Sequence, residues 1–142
     1  MRLYDCTFAD LDAKTLYALL KLRTDVFVVE QACPYPELDG RDTEPTTRHL
    51  WLADEPAEPQ AYLRILAEPD GAARIGRVCT AASARGQGLS RRLMEAALAR
   101  TGDRPCVLDA QSYLVDFYRS FGFTVAGPEF VEDGIPHVPM RR

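Results

Sequence analysis

The segment Arg85-Gly86-Gln87-Gly88-Leu89-Ser90 stands between a predicted strand and a predicted amphipathic helix. In the first turn of a helix the backbone N–H groups have no helical acceptor, and the helix dipole favours a negative charge there. Two glycines allow the backbone to come close to a ligand. The segment therefore indicates a phosphate-binding loop. A tight turn between strand and helix is the alternative interpretation.

Two well-known phosphate loops do not fit the segment. The dinucleotide-binding fingerprint needs a third glycine or alanine three residues after Gly88, where this chain has Arg91. The P-loop needs a lysine before its serine or threonine, and here Leu89 precedes Ser90. If the segment binds phosphate, it therefore belongs to another class of phosphate loop.

The periodicity of apolar residues divides the rest of the chain into helices and strands. In chain order it predicts a strand over 2–8, a helix or broken helix pair over 12–31, strands over 49–53, 61–67 and 73–80, a helix over 89–101, a strand over 106–110, a helix over 112–121 and two strands in the tail over 123–142. The three consecutive strands with short connections predict an antiparallel meander. This order favours an α+β fold, a mixed sheet flanked by helices, over a doubly wound parallel sheet.

Length, charge and composition exclude several classes of protein. The chain has 142 residues, of which 46% are hydrophobic, and this predicts one domain over residues 1–142. Seventeen basic against 21 acidic residues give a net charge of −4, which argues against nucleic-acid binding. No apolar run approaches the ~20 residues of a membrane span, and the N-terminus has no secretory pattern. We therefore expect a cytoplasmic protein that does not bind membranes.

The cysteines and histidines do not form a metal-binding pattern. No Cys-x-x-Cys pair occurs, and the two histidines, His49 and His137, stand far apart. We expect free thiols in a reducing compartment and no metal. The four cysteines are Cys6, Cys33, Cys79 and Cys106.

The glycine segment resembles the pyrophosphate loop of the Gcn5-related N-acetyltransferases (GNAT), whose usual form is Gln/Arg-x-x-Gly-x-Gly/Ala. Arg85 and Gly88 stand at the matching positions, and Ser90 replaces the last small residue. A match of this kind implies that the loop binds the pyrophosphate of coenzyme A. The co-substrate implied is acetyl-CoA.

Residues 111–123 are similar to a second motif of that family, Asn-x-x-Ala-x-x-Phe/Leu-Tyr-x-x-x-Gly-Phe. The pairs Phe117-Tyr118 and Gly122-Phe123 match, whereas Gln111 stands in place of the asparagine. A leucine replaces the alanine. The match implies that Gln111, Phe117 and Tyr118 contact the co-substrate.

Three further segments, 20–31, 33–42 and 132–137, resemble the ElaA-like members of the family. The resemblance spans nearly the whole chain. It implies a splayed, mixed and mostly antiparallel sheet with acetyl-CoA inserted between two parting strands. The second substrate would be an amine on a small molecule or a protein, and the oligomeric state stays open between monomer and homodimer.

The resemblance also implies the roles of individual residues. The backbone of residues 78–80 would contact the acetyl carbonyl and the pantetheine arm, and Tyr118 would be the general acid for the leaving thiolate. The expected co-substrate ligands are Val78, Cys79, Thr80, Arg85, Gly86, Gln87, Gly88, Leu89, Ser90, Arg91, Gln111, Phe117 and Tyr118.

The general base is open between three alternatives, because residues 74–80 include no carboxylate or imidazole. His137 is one candidate, because imidazole is the side chain most often used as a general base. Glu30 lies in a segment that resembles the substrate-side lid of the family. Deprotonation through ordered water needs no single base. A competing function is a non-catalytic acyl-CoA-binding module, which would keep the loop and Tyr118 as ligand contacts.

An acidic stretch follows the predicted lid. Between residues 37 and 44 four acidic side chains meet only one basic residue, Arg41, which gives a local charge of −3. If this stretch rims the acceptor entrance, it would attract a cationic amine. The alternative is a solvated surface run. The acidic residues are Glu37, Asp39, Asp42 and Glu44.

Overall fold

A mixed eight-stranded sheet forms the centre of the computed structural model, which describes residues 1–142. The strands are β1 (Arg2–Cys6), β2 (Arg48–Ala53), β3 (Ala61–Ala67), β4 (Ala73–Thr80), β5 (Cys106–Gln111), β6 (Thr124–Val125), β7 (Phe130–Glu132) and β8 (Ile135–Arg141). The helices are α1 (Ala13–Thr24), α2 (Leu89–Thr101) and α3 (Val115–Arg119).

The order of strands across the sheet is β1-β2-β3-β4-β5-β8-β6, with β7 paired to β8. Only β4 and β5 run parallel, and every other pair is antiparallel. The predicted α+β class and the meander of β2, β3 and β4 are therefore confirmed.

The parallel pair is short. Only Ala73 with Cys106 and Arg74 with Val107 lie opposite each other in β4 and β5. Beyond these positions β4 stays paired with β3, and β5 stays paired with β8. A gap therefore opens in the middle of the sheet, as the resemblance implied.

A β-bulge interrupts the pairing of β4 with β3 shortly after the last position at which β4 pairs with β5. Arg64 of β3 lies opposite Gly76, whereas Tyr62 lies opposite Cys79, so β4 has one extra residue here. The extra residue gives Arg77 a φ of +53°, a left-handed conformation that is uncommon outside glycine. Bulges bend the strand and re-aim side chains, often beside functional sites.

Two apolar clusters fix the helices on opposite faces of the sheet. Leu89, Leu93, Met94 and Ala97 of α2 are buried against one face, on the stripe that the sequence predicts. The other face carries a smaller cluster in which α1 packs against Trp51 and Tyr62. No helix has both the length and the apolar character needed to cross a bilayer.

The first predicted helix changes its geometry before it ends. The α-helix stops at Thr24, and residues Asp25–Glu30 form a π turn. Its wider hydrogen bonds include Gln31 N donating to Val26 O at 3.3 Å. Such turns often occur at functional sites. The apolar period of the sequence continues through it, so the prediction over 12–31 could not separate the two parts.

Three other predicted boundaries are wrong. The first strand ends at Cys6 rather than residue 8, because a 3₁₀ turn over Phe8–Asp10 follows. The helix expected over 112–121 consists of a 3₁₀ turn, Ser112–Leu114, and the five-residue α3. The tail holds three strands instead of two, because Thr124–Val125 pairs with the end of β8 and is too short to show a period.

Residues 34–45, called the strap below, are held by buried ion pairs that begin at α1. Arg23 is only 1% exposed. Its Nη1 lies 2.7 Å from Asp42 Oδ1 and its Nε lies 3.1 Å from Glu37 Oε1. Glu37 and Asp42 are themselves buried. The strap therefore closes over α1 through charge pairing rather than apolar packing.

The sheet supplies two more arginines to the same network. Arg64 of β3 binds Asp39 and Asp42, and Arg77 of β4 lies 2.7 Å from Glu37 Oε2. Arg41 pairs with Glu44. The expectation of an acidic rim that attracts a cation is therefore wrong, and so is that of a solvated run. Glu37, Asp39 and Asp42 are neutralised by arginines at least 14 residues away in sequence, and Glu44 by Arg41, three residues away.

The arginines also shift the protonation of the strap. Burial raises the pKa of Asp42, but hydrogen bonds and charges from Arg23 and Arg64 outweigh burial and lower the pKa below its usual value. The pKa of Asp39 is lowered in the same way, chiefly by its hydrogen bonds to Arg64. These carboxylates therefore stabilise the fold only in their charged form.

Asp42→Asn should lower the free energy of unfolding by about 3 kcal/mol, because it leaves two buried guanidinium groups short of charge. A lowered folded pKa gives stability that is complete above the unfolded value near ~3.9 and is lost as the pH falls through the folded pKa. Urea titrations between pH 7 and pH 3 should therefore show a decline in the parent that is smaller in the variant. Asp116→Asn is the control, since that side chain is 94% exposed. Equal effects of the two variants would contradict the role of the network.

Candidate active site

A cleft of about 810 Å³ follows the gap between β4 and β5. Its walls come from the π turn after α1, the strap, the glycine loop before α2, the start of α3 and the turn between β7 and β8. The cleft is lined by the following site residues predicted from the sequence: Glu30, Val78, Cys79, Thr80, Arg85, Gly86, Gly88, Leu89, Ser90, Arg91, Gln111, Phe117, Tyr118 and His137. Gln87 is the predicted ligand that does not line it.

The glycine loop enters α2 through two left-handed residues. Gly86 has a φ of +83° and Gly88 has a φ of +74°. A Cβ built on either glycine would meet no atom within 4 Å, so packing leaves that space open. The first N–H groups of α2 have no helical acceptor. An open cradle of backbone donors fits a pyrophosphate.

A hydroxyl pair connects this loop to the strand before it. Thr80 Oγ1 and Ser90 Oγ are 2.8 Å apart. Thr80 is the last residue of β4, and Ser90 lies in the first turn of α2. The bond fixes the distance between the end of the splayed strand and the cradle.

Arg85 is ion-paired with Glu30 across the cleft. Arg85 Nη2 lies 2.6 Å from Glu30 Oε2, and Arg85 Nε donates to Thr80 O at 3.3 Å. The resemblance implies different roles for these two side chains, with Arg85 at the pyrophosphate and Glu30 as a candidate base. In this structure the Glu30 carboxylate is therefore engaged by the Arg85 guanidinium.

Tyr118 lies on the α2 side of the cleft and is only 6% exposed. Its ring packs edge-on against Phe117 and Phe123, with centroids 5.1 and 6.3 Å away. Burial, followed by the neighbouring Tyr113, raises the pKa of Tyr118 above its usual value. The phenol is therefore protonated at any physiological pH and available as a hydrogen-bond donor.

His137 reaches the cleft from β8, next to Gln111 of β5. Its ring stacks on Phe130, and Nδ1 lies 2.8 Å from Ile135 O. A carbonyl oxygen can only accept, so Nδ1 holds the proton in this contact and the lone pair of a neutral ring lies on Nε2. The second nitrogen is the one able to accept a proton.

The cysteines take no part in an obvious reaction centre. All four are free thiols, and no group of three or more His, Cys, Asp and Glu side chains is placed to hold a metal ion. Burial raises the pKa of Cys79 to about 12. A thiol with such a pKa is a poor nucleophile at neutral pH.

Several cleft residues are not predicted from the sequence. Arg64, Gly76 and Arg77 line the cleft on the side that faces α1 and the strap. The sequence does carry one signal for them: two charged residues and a glycine stand inside strands that are otherwise apolar. Such residues are seldom placed in a strand for core packing alone. Gln31 and Gln111 were also not connected, although their amide groups pair across the cleft at 3.4 and 3.5 Å.

Comparison with known proteins gives consistent matches over most of the chain. Residues 24–142 match the family described as an acetyltransferase (GNAT) domain. The chain is 59% identical over 136 residues to a UPF0039 protein of Mycobacterium tuberculosis, which covers 94% of this chain and 87% of the relative. It is 42% identical over 146 residues to the protein ElaA of Escherichia coli, with coverages of 97% and 94%.

A solved structure agrees with these relatives. The crystal structure of an acyl-CoA N-acyltransferase from Pseudomonas aeruginosa is 46% identical to this chain and superposes with a TM-score of 0.92. The superposition covers 99% of this chain and 98% of the other. The fold is therefore that of a known group of transferases.

Gly88→Asn should weaken the binding of coenzyme A at least roughly tenfold, because the new side chain fills the open cradle while asparagine tolerates the left-handed backbone. Isothermal calorimetry measures the affinity, and thermal melts check that the fold is retained. Gly71→Asn is the matched control, since Gly71 also has a positive φ, +91°, and open space, but lies in a turn outside the cleft. If the Gly88 variant bound coenzyme A as tightly as the parent, the glycine loop would not be the pyrophosphate site.

Proposed function

The chain belongs to the GNAT family and to its ElaA-like members, and we propose that it transfers the acetyl group of acetyl-CoA directly to a primary amine. One observation carries the proposal: the open cradle at the start of α2 and the buried phenol of Tyr118 face the same gap between β4 and β5. The acceptor amine belongs to a small molecule or a protein. The whole chain acts as one domain, and its free thiols suit a reducing cytoplasm.

Binding and orientation of acetyl-CoA depend on both sides of the gap. The N–H groups at the start of α2 bind the pyrophosphate, and Arg85 adds a positive charge there. Residues Val78–Thr80 offer backbone groups of the unpaired edge of β4 to the pantetheine arm. When bound, acetyl-CoA supplies an activated thioester carbonyl, which an amine can attack.

Stabilisation of the developing negative charge falls to backbone donors. Next to the bulge, the edge of β4 beyond Arg74 has no strand partner in β5. An N–H group held rigidly and without an acceptor is suited to a carbonyl oxygen that gains charge. No side chain is needed for this role, and none of residues 78–80 is charged.

Tyr118 assists the leaving thiolate. A free phenol with a pKa of ~10 is a weaker acid than a thiol of ~8.5, so complete proton transfer is uphill by about 2 kcal/mol before burial is considered. Burial raises the pKa of Tyr118 further. The hydroxyl therefore acts mainly as a hydrogen-bond donor to the sulfur, with transfer of the proton completed after the bond to carbon breaks.

His137 Nε2 accepts the proton of the amine. Nδ1 is engaged with a carbonyl oxygen, so the free lone pair faces away from that contact. Glu30, which is paired with Arg85, and ordered water are the alternatives to the imidazole. The non-catalytic acyl-CoA-binding module stays the competing function.

A thiol-release assay with acetyl-CoA and a panel of amines tests the activity. Acceleration by an amine, with the acetylated amine found by mass spectrometry, supports the transferase. Tight binding of acetyl-CoA without release for any amine would instead favour the module.

Tyr118→Phe should lower kcat by roughly 100-fold, because it removes a hydrogen bond made to the leaving group. The affinity for coenzyme A and the unfolding temperature should hardly change, since the ring is retained. Tyr17→Phe is the control, because Tyr17 is 74% exposed on α1. An unchanged kcat for the Tyr118 variant would exclude Tyr118 as the group that assists the leaving thiolate.

His137→Gln should lower kcat/KM for an amine roughly tenfold at pH 7 and much less at pH 9.5, where more of the amine is already neutral. Glu30→Gln should change mainly the KM for acetyl-CoA, through its partner Arg85. If only the Glu30 variant loses kcat, the carboxylate is the base. If neither does, deprotonation proceeds through water.

A further inference from the structure

Gly76 is a glycine that neither the backbone nor the packing requires. It lies inside β4 without the positive φ that favours glycine, since Arg77 takes the left-handed position of the bulge. A Cβ built on Gly76 would meet no atom within 4 Å. Glycine weakens a strand and often marks a place where a ligand approaches the backbone. Gly76 lines the cleft, so the open space belongs to the site.

Three arginines surround this space. Arg64 is the cross-strand partner of Gly76, and such partners project on the same face with Cβ positions about 5 Å apart. Arg74 precedes Gly76 by two residues on that strand, and Arg77 follows it. All three line the cleft. The missing side chain therefore leaves a hole beside three guanidinium groups, of which Arg64 and Arg77 already pair with strap carboxylates.

The arginines keep donors that the protein does not use. Arg64 Nε is buried and has no hydrogen-bond partner. The side chain of Arg64 is only 4% exposed, and a buried donor without an acceptor costs stability unless a ligand or water satisfies it. Arg74 makes only two contacts longer than 3 Å, to Glu68 at 3.2 Å and to Asp109 at 3.3 Å. The guanidinium groups of Arg64 and Arg74 can therefore donate hydrogen bonds to a further anion.

The space lies on the opposite side of the sheet from the proposed acid. Val78 and Tyr118 pack with the α2 cluster, whereas Tyr62, two residues from Arg64 on the same face, packs with the α1 cluster. An acyl donor that reaches the gap from the α2 side leaves the α1 side for the acceptor. A ligand group that fills the space above Gly76 would therefore belong to the acceptor.

We propose that the acceptor amine carries a carboxylate, which binds above Gly76 between Arg64, Arg74 and Arg77. A planar carboxylate matches the guanidinium fork. The proposal rests on the proposed transferase function and assigns the class of its second substrate. The strap contributes indirectly, because Asp39 and Glu37 hold Arg64 and Arg77 in place.

The test compares amines that differ only in this group. ω-Amino acids of two to six carbons, their primary amides, the parent alkylamines and phosphoethanolamine are assayed by thiol release from acetyl-CoA. At least one amino acid should have a KM at least roughly tenfold below that of its amide, the effect of one charge-assisted hydrogen bond. Preference for the phosphate monoester over every carboxylate would overturn the carboxylate assignment.

Two variants locate the preference. Gly76→Ala fills the space, and Arg74→Gln removes one charge. Each should raise the KM of the preferred amino acid roughly tenfold, with little change for its amide or in the affinity for coenzyme A. Arg48→Gln is the matched control, because Arg48 is a half-exposed strand arginine paired with Asp5 outside the cleft. Melting temperatures check folding, and Gly76→Ala should not lower them, since its φ suits alanine.

The outcomes separate this proposal from the one on which it rests. If amines are acetylated but the amides react as well as the acids, the carboxylate site is wrong and the transferase stands. If Gly76→Ala alters the choice among acyl-CoA chain lengths instead of the choice among amines, the space belongs to the acyl group. If no amine accelerates thiol release while coenzyme A still binds, the transferase function fails and the acceptor site fails with it.

Discussion

The rest of the structure depends on one constraint: β4 and β5 pair in parallel at only two positions. Each of these strands keeps its other neighbour, β3 or β8, almost to its end. The facing backbone groups past Arg74 and Val107 therefore lack a strand partner, and buried backbone groups must find another. A ligand that enters the gap can hydrogen-bond to the open edge. The cleft thus forms where the pairing between β4 and β5 is absent.

The gap needs walls that do not depend on pairing across it. On one face α2 supplies a wall by apolar packing, with Leu93 and Met94 fully buried. On the other face the strap is held mainly by charge, through Arg23, Arg64 and Arg77. Both arrangements leave the edges of β4 and β5 free. The two walls also differ in chemistry, with an open cradle of backbone N–H groups on one and guanidinium groups on the other.

The sequence predicts the local features of this design well. The stripe through Leu89 and Leu93 gives α2 within a residue, and the two glycines before it identify the cradle, because both signals are carried by neighbouring residues. The sequence does not predict what depends on distant partners. The strap looks like an acidic surface, since the arginines that neutralise it lie up to 40 residues away, as for Arg77 and Glu37. The pairing of Glu30 with Arg85 is hidden for the same reason.

The buried network of the strap also limits how the sequence can change. Removal of any one partner leaves an opposite charge unpaired in the interior. Joint replacement of a buried ion cluster by well-packed apolar side chains, in contrast, can be neutral or stabilising. Arg and Lys are not interchangeable where one guanidinium binds two carboxylates, as Arg23 does with Glu37 and Asp42. The energies of such neighbours are not additive. The effect of a substitution at one of these positions therefore depends on which residues occupy the others. The coupled positions are Arg23, Glu37, Asp39, Asp42, Arg64 and Arg77.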